Sequence, residues 1–282
     1  MALTLTNIDG ISIRDFYERR LKRIMPAYLA VLSIIVILSP IFFITPHVNE
    51  FLRDVPAFLV GLPNIAMWMK TEYWRDRNFA PALHFWSLGV ELQFYLILPI
   101  LVWLHLRSSR WTLAIFVISF IACAVAQFYS PKTAFFLMPF RIWEFAAGFY
   151  LAKCGVTFQR RHGWPNSGAL FYTAAVALLA LATIPMRPEL FPWPWAAPAV
   201  AAAVVLIGCA YRARSRVERA TFAAVEYLGE LSYSIYLVHF PIIIILIYQP
   251  FGDNTPAAPS VSLALQAAGL TLGLATLSYY AI

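Results

Sequence analysis

Long apolar runs constrain the fold of this chain more than any other feature of its sequence. Such runs fall near 26–45, 84–106, 111–128, 139–152, 168–185, 195–211, 228–249 and 259–282. About 20 mostly apolar residues suffice to cross a bilayer as a helix. The lipid interior offers the backbone no hydrogen-bond partners, so a spanning segment must form its bonds internally. The sequence therefore predicts an all-α, polytopic transmembrane helix bundle with about eight spans.

The composition excludes a water-soluble enzyme. Charged residues make up 12% of the chain and hydrophobic residues 61%, with a mean hydropathy of +0.70, whereas soluble domains average roughly 25% charged residues. The cysteines Cys123, Cys154 and Cys209 stand singly in or beside apolar runs, without a CxxC spacing. We interpret them as small hydrophobic residues with no disulfide or metal role.

One further apolar stretch, Val55 to Met69, is short and is interrupted by Pro56, Gly61, Pro63 and Asn64. If it does not span, fourteen of the 21 Lys and Arg residues fall on one side of the membrane, six on the other, and Arg141 within a span. Cytoplasmic loops carry the excess of Lys and Arg. The charges therefore predict a re-entrant or interfacial segment near 55–69, an external stretch from about 46 to 83, and a cytoplasmic N-terminus.

The basic residues are spread over several loops, which argues against nucleic acid as a partner and for the lipid bilayer. Within the spans, ionisable groups are few, and each costs ~2.5 to 3.5 kcal/mol on insertion scales. One face of the second span carries His84, Ser87, Glu91 and Tyr95, at intervals of three, four and four residues. We interpret Glu91 as lining a reaction or transport cavity, and His84 as a residue at the membrane interface.

Three other groups admit two interpretations each. Arg141 and Glu144 can neutralise each other one turn apart, so a structural role is at least as well supported as a functional one. Tyr233, Tyr236 and His239 share one side of the penultimate span, where an intramembrane histidine usually makes a helix contact. A basic N-terminal group contains Arg20 and Arg23, one turn apart, which can orient the chain or bind an anionic ligand through their guanidinium forks.

Four segments, in this order, resemble the acyltransferase-3 family of bacterial inner-membrane O-acyltransferases. They are FYERRLKRIMPAY (16–28), WSLGVELQFY (86–95) followed by Pro99, PFRIWEFAAG (139–148) and LGELSYSIYLVHFP (228–241). One departure is Leu92, where the family usually has a second acid. This departure leaves Glu91 with Gln93 as the polar centre of that motif.

The resemblance implies transfer of an acyl group, most often acetyl from cytoplasmic acetyl-CoA, to a sugar hydroxyl of an envelope glycan or lipid-linked sugar, such as a lipopolysaccharide or exopolysaccharide. It implies no bound cofactor or metal, because acyl-CoA is a substrate. Glu91 is the expected catalytic residue, and Arg20 and Arg23 are expected to bind the donor phosphates. The residues expected to line the cavity or meet the acceptor are Trp86, Ser87, Gln93, Tyr95, Arg141, Glu144, Tyr233, Tyr236 and His239.

The resemblance also implies two further spans before the Arg20 region, the first with a histidine that acts as base, and a closing span after the last helix. On this interpretation residues 1–282 form one integral-membrane domain that is a partial member of the family. Two alternatives stay open: an inactive remnant or membrane scaffold, and a transporter or flippase, which predicts inverted repeats that are not visible here. An upstream reading frame encoding a span with the histidine favours the enzyme.

Overall fold

The structure is a computed structural model that describes residues 13–70, 80–162, 168–184, 191–209, 211, 215–248 and 260–281. All regular secondary structure in these ranges is helical, which confirms the all-α prediction. In chain order the α-helices are α1 (Ile13–Phe42), α2 (Thr45–Leu59), α3 (Pro63–Met69), α4 (Phe85–Arg107), α5 (Ser109–Tyr129), α6 (Pro131–Phe136), α7 (Ile142–His162), α8 (Gly168–Thr183), α9 (Ala196–Gly208), α10 (Arg216–Ile247) and α11 (Val261–Ala281).

Five helices of the described part are long and apolar enough to cross a membrane: α1, α4, α5, α10 and α11. Three shorter apolar helices, Ile142–Ala152 within α7, α8 and α9, coincide with the other predicted spans. The chain is therefore a polytopic helical membrane protein, and each of the eight predicted apolar runs coincides with a helix.

The stretch near 55–69 is not one helix but the end of α2 and the whole of α3. Gly61 has a φ of 76°, a conformation that glycine adopts without steric cost. The N–H of Gly61 bonds to Phe58 O at 3.1 Å and the N–H of Leu62 to Ala57 O at 2.8 Å, which is the Schellman pattern that ends a helix. Pro63 then begins α3. Neither helix has the length of a span, in agreement with the prediction for this segment.

The chain divides into two compact units. One unit comprises Met1–Asp15 and Val90–Arg214. Within it α5 packs on α6 and α7, and α9 packs on α7 and α8. A core cluster in this unit contains Cys123, Trp143 and Ala196. Cys123 is fully buried there, as expected for a cysteine that serves as a small hydrophobic residue.

The other unit comprises Phe16–Gly89 and Ser215–Ile282. Here α10 packs along α11, and α2 packs on α3. The hydroxyl of buried Tyr28 donates to Phe58 O at 2.9 Å, which satisfies a carbonyl at the end of α2. Helix α10 starts with a capping box between Ser215 and Glu218. The boundary between the units falls inside α4, between Gly89 and Val90, so the predicted site residues are divided between the two units.

Candidate functional site

The first unit contains the carboxylate that the sequence marks most clearly. Glu91 lies on α4, is half-buried, and accepts a hydrogen bond from the hydroxyl of Tyr95 one turn later. Tyr95 itself is only 6% exposed. The spacing of four residues brings the two side chains together on one helix face. Tyr95 thereby orients the carboxylate of Glu91 with a donor that has little access to water.

Arg141 and Glu144 form an ion pair at the start of α7. Nη2 and Nε of Arg141 lie 2.6 and 3.1 Å from Oε2 of Glu144, and Nη1 donates to Phe135 O at 3.2 Å. The guanidinium also lies over the rings of Phe135 and Phe191, at 5.7 and 5.4 Å from their centroids. The buried guanidinium of Arg141 therefore has hydrogen-bond and ring partners within the protein, and no bound ligand is needed to stabilise its charge. These contacts support the structural interpretation of the pair, and its predicted place in a reaction cavity stays a prediction.

The second unit contains a hydrogen-bonded cluster around His84, just before α4. The hydroxyl of Tyr236 donates to the main-chain carbonyl of His84, and Ser87 Oγ is hydrogen-bonded to Tyr236 Oη. His84 is 6% exposed. The imidazole of His84 is therefore buried among side chains of α10, and its predicted position at the membrane interface stays a prediction.

A second contact ties the same histidine to α10. Nε2 of His84 lies 3.0 Å from Leu237 O. A carbonyl oxygen can only accept, so Nε2 carries the proton. Residue 241, which would normally donate its N–H to this carbonyl, is Pro241. The sequence reasoning missed the link, although a proline four residues after Leu237 signals a carbonyl that needs another donor.

Helix α10 also carries the predicted site residues His239 and Tyr233. Nδ1 of His239 is 2.7 Å from Tyr236 O and 3.2 Å from Ile235 O, so in the neutral ring Nδ1 carries the proton and Nε2 is an acceptor. His239 forms part of the wall of a cavity of about 560 Å³ between α10 and α11, which is otherwise lined mainly by aliphatic side chains. The hydroxyl of Tyr233 donates to Ile24 O at 2.8 Å.

The predicted donor-binding residues lie on the first turns of α1, in the second unit. Arg20 is half-buried, with its guanidinium carbon 5.9 Å from the centroid of the Phe16 ring, and Arg23 is exposed one turn later. Lys22 pairs with Glu18 at 2.6 Å. The contact of Tyr233 with the carbonyl of Ile24 fixes the residue that follows Arg23. Of the remaining predicted residues, Trp86 in this unit and Gln93 in the first are half-buried on α4.

These elements define a polytopic helical membrane protein with an oriented carboxylate on one spanning helix and a pair of arginines at the start of another. Residues 2–280 match the model of a protein family, acyltransferase-3, that is described as an acyltransferase domain. The chain therefore belongs to the acyltransferase-3 family.

Curated relatives agree with this assignment. A protein of Komagataeibacter xylinus named as a membrane-bound transacylase, BcsY, is 32% identical over 256 residues, which are 89% of this chain and 64% of that protein. An uncharacterized protein of Haemophilus influenzae is 32% identical over 40% of this chain and 46% of its own length. The O-acetyltransferase OatA of Staphylococcus aureus is 31% identical over 33% of this chain and 15% of its own length. This chain thus spans less than two thirds of these relatives, and no solved structure matches it.

Proposed function

We propose that this chain carries out O-acylation in the bacterial inner membrane, moving an acyl group, acetyl in the simplest case, from cytoplasmic acyl-CoA to a hydroxyl of an envelope carbohydrate. The acceptor is a glycan or lipid-linked sugar of the lipopolysaccharide or exopolysaccharide type. The observation that carries the proposal is the family match over residues 2–280. The names of the relatives BcsY and OatA, a transacylase and an O-acetyltransferase, support transfer of an acyl group as the reaction.

Arg20 and Arg23 are the proposed donor-binding residues. The phosphates of acyl-CoA need cationic partners, and a guanidinium fork binds phosphate oxygens in two places at once. Both residues precede the apolar part of α1, on the side where the charge distribution predicts the cytoplasm. Lys22, which lies between them in sequence, is paired with Glu18 at 2.6 Å.

Glu91 is the proposed catalytic residue, and Tyr95 holds its carboxylate. Acyl transfer to a hydroxyl needs a base for the hydroxyl proton and donors for the oxyanion that develops on the acyl carbonyl. A carboxylate fixed by a tyrosine on the same helix can accept that proton or orient the group that does. Trp86, one turn before Val90 on the same helix, offers an aromatic face of the kind that suits a sugar ring.

The other predicted residues are assigned lining and supporting roles, each within its own unit. His239 contributes an imidazole to the wall between α10 and α11, and Tyr233 and Tyr236 anchor α10 through main-chain carbonyls. In the first unit, the mutual neutralisation of Arg141 and Glu144 supports a bracing role. Ser87 and Gln93 complete this proposed set.

The proposal is tested by acetyl transfer in membranes that contain the protein. Inner-membrane vesicles receive radiolabelled acetyl-CoA, and the label in extracted envelope glycan is counted. Arg23→Ala and Glu91→Gln are expected to abolish incorporation without changing the amount of protein in the membrane. Arg19→Ala, which removes an exposed arginine from the same helix, and Glu226→Gln, which neutralises an exposed carboxylate on α10, are the matched controls. Full activity of both site variants contradicts the assigned roles.

A further inference from the structure

Pro241 removes one main-chain hydrogen bond from α10. Because proline has no N–H, the helical hydrogen bond from residue 241 to the carbonyl of Leu237 cannot form. Leu237 is fully buried, and a buried carbonyl without a donor is costly in a membrane helix, where water does not compensate. Another group must donate to this oxygen.

That group is His84, which lies 153 residues earlier in the chain. Its Nε2 is 3.0 Å from Leu237 O, and its ring is buried. In the other direction, the hydroxyl of Tyr236 donates to the main-chain carbonyl of His84. Two hydrogen bonds of opposite direction therefore join His84 to consecutive residues of α10, on the turn that precedes the proline.

A second proline in the same unit shows the same compensation. Pro40 in α1 cannot donate to the carbonyl of Val36, and Oγ of the fully buried Ser39 donates to that oxygen at 2.9 Å. Ser39 belongs to the same helix as the carbonyl, so the compensation is local. At Pro241 the donor comes from a different element, and the compensation therefore also fixes the position of α10 relative to the start of α4.

We propose that His84 is a positioning residue: its Nε2–H replaces the main-chain hydrogen bond that Pro241 removes, and so holds the turn of α10 that carries Tyr236 and His239. The His84 ring lies 5.4 Å, between centroids, from the rings of both residues. His239 in turn forms part of the wall of the α10–α11 cavity. The consequence for acyl transfer rests on the proposed function, whereas the hydrogen bond and its energetic effect do not.

The decisive experiment is a double-mutant cycle between His84 and Pro241. In the native background His84→Leu is expected to lower the folded-to-unfolded ratio by about tenfold, because it leaves one buried acceptor unpaired. Pro241→Ala restores an N–H for the Leu237 carbonyl. In that background the same substitution is therefore expected to lower the ratio by less than about threefold. The ratio is measured by reversible unfolding of the purified protein in mixed detergent micelles.

Ser119→Ala is the matched control for the cycle. In the other unit, Oγ of Ser119 donates to Pro139 O at 2.6 Å and accepts from the N–H of Trp143 at 3.2 Å, so its removal also leaves main-chain groups unpaired, but none of them is in α10. Its effect is expected to be equal in the native and Pro241→Ala backgrounds. An equal effect of His84→Leu in the two backgrounds overturns the inference. If His84→Leu alone does not accumulate, accumulation of the double variant supports the inference and its failure to accumulate contradicts it.

Transfer kinetics provide a readout that separates positioning from stability. His84→Gln keeps an N–H that can reach the carbonyl, and it is expected to retain more of kcat than His84→Leu, assayed at a temperature where both are folded. Equal kcat values for the two variants contradict the positioning role. If the native protein shows no acetyl transfer while the unfolding cycle shows coupling, the proposed function fails and the His84 contact stands. If acetyl transfer is present and the unfolding cycle shows no coupling, the inference about His84 fails and the proposed function stands.

Discussion

The hydroxyl of Tyr95 donates a hydrogen bond to the carboxylate of Glu91, one turn earlier on α4. The bond is shielded from solvent on the tyrosine side, since Tyr95 is 6% exposed. Hydrogen bonds to a charged group are about twice as strong as neutral ones. The tyrosine is therefore expected to control where the carboxylate points during the proposed acyl transfer.

Tyr95→Phe removes this donor and keeps the ring. We expect the initial rate of acetyl transfer to fall by about tenfold or more, the effect of losing one hydrogen bond to a charged group. The amount of folded protein in the membrane should change little. Tyr129→Phe, at the exposed end of α5, is the control and should keep the native rate. A native rate for Tyr95→Phe contradicts the role given to this hydrogen bond.

The buried pair of Arg141 and Glu144 predicts an asymmetric effect on stability. Arg141→Met leaves the Glu144 carboxylate buried without its cation, which is expected to lower the free energy of unfolding by about 3 to 5 kcal/mol. The double variant Arg141→Met/Glu144→Leu removes both charges and should be more stable than the single variant. Reversible unfolding in mixed detergent micelles measures the free energy of unfolding of the single and the double variant.

The pair of Lys22 and Glu18, with side chains 74% and 48% exposed, is the control for this experiment. Lys22→Ala should change the free energy of unfolding by less than about 1 kcal/mol. The structural interpretation of Arg141 and Glu144 is wrong if Arg141→Met is as mild as Lys22→Ala.

Gly89 is predicted to tolerate no side chain. A Cβ at this position would lie 2.6 Å from Asn64 Oδ1 and 2.9 Å from Pro63 Cδ, and Asn64 is fully buried. Gly89→Ala should therefore lower the melting temperature, because α3 must move away from α4. At Gly229 a Cβ meets nothing within 4 Å. Gly229→Ala should leave the melting temperature unchanged or raise it, since alanine favours the helix by up to ~1 kcal/mol. Equal melting temperatures for the two variants contradict the close approach at Gly89.

The charge distribution predicts that Glu50 and Arg219 lie on opposite sides of the membrane. Single cysteines are introduced at these exposed positions in a background in which Cys123, Cys154 and Cys209 are replaced by serine or alanine. A membrane-impermeant thiol reagent should label the cysteine at position 50 in intact cells or spheroplasts. The cysteine at position 219 should react only after permeabilisation. Labelling of both positions from the same side contradicts the proposed topology.

Helices and their local contacts could be predicted from this sequence because both depend on short-range patterns. The apolar runs give the helices, and the interruption at Gly61 gives the break before α3. Likewise the spacing of three between Arg141 and Glu144 gives their ion pair, which is confirmed. Each of these features depends on the identity of residues within one or two turns.

The link between His84 and Leu237 could not be obtained in this way. Its partners are 153 residues apart, and periodicity says nothing about which helices become neighbours. Pro241 reveals that a carbonyl needs a donor but not which side chain supplies it. The helical spacing did indicate that His84 and Ser87 lie close together, and both contact the hydroxyl of Tyr236.

The proposed function requires that the acyl donor is taken from the cytoplasmic side of the membrane. Inverted and right-side-out membrane vesicles with the native chain are given radiolabelled acetyl-CoA, and labelled glycan is quantified in each. Acetyl transfer is expected in inverted vesicles, where the start of α1 with Arg20 and Arg23 faces the donor, and is expected to be lost in the Arg23→Ala variant. Equal transfer in both orientations, or native transfer by Arg23→Ala, would contradict an acyltransferase that takes its donor from the cytoplasm.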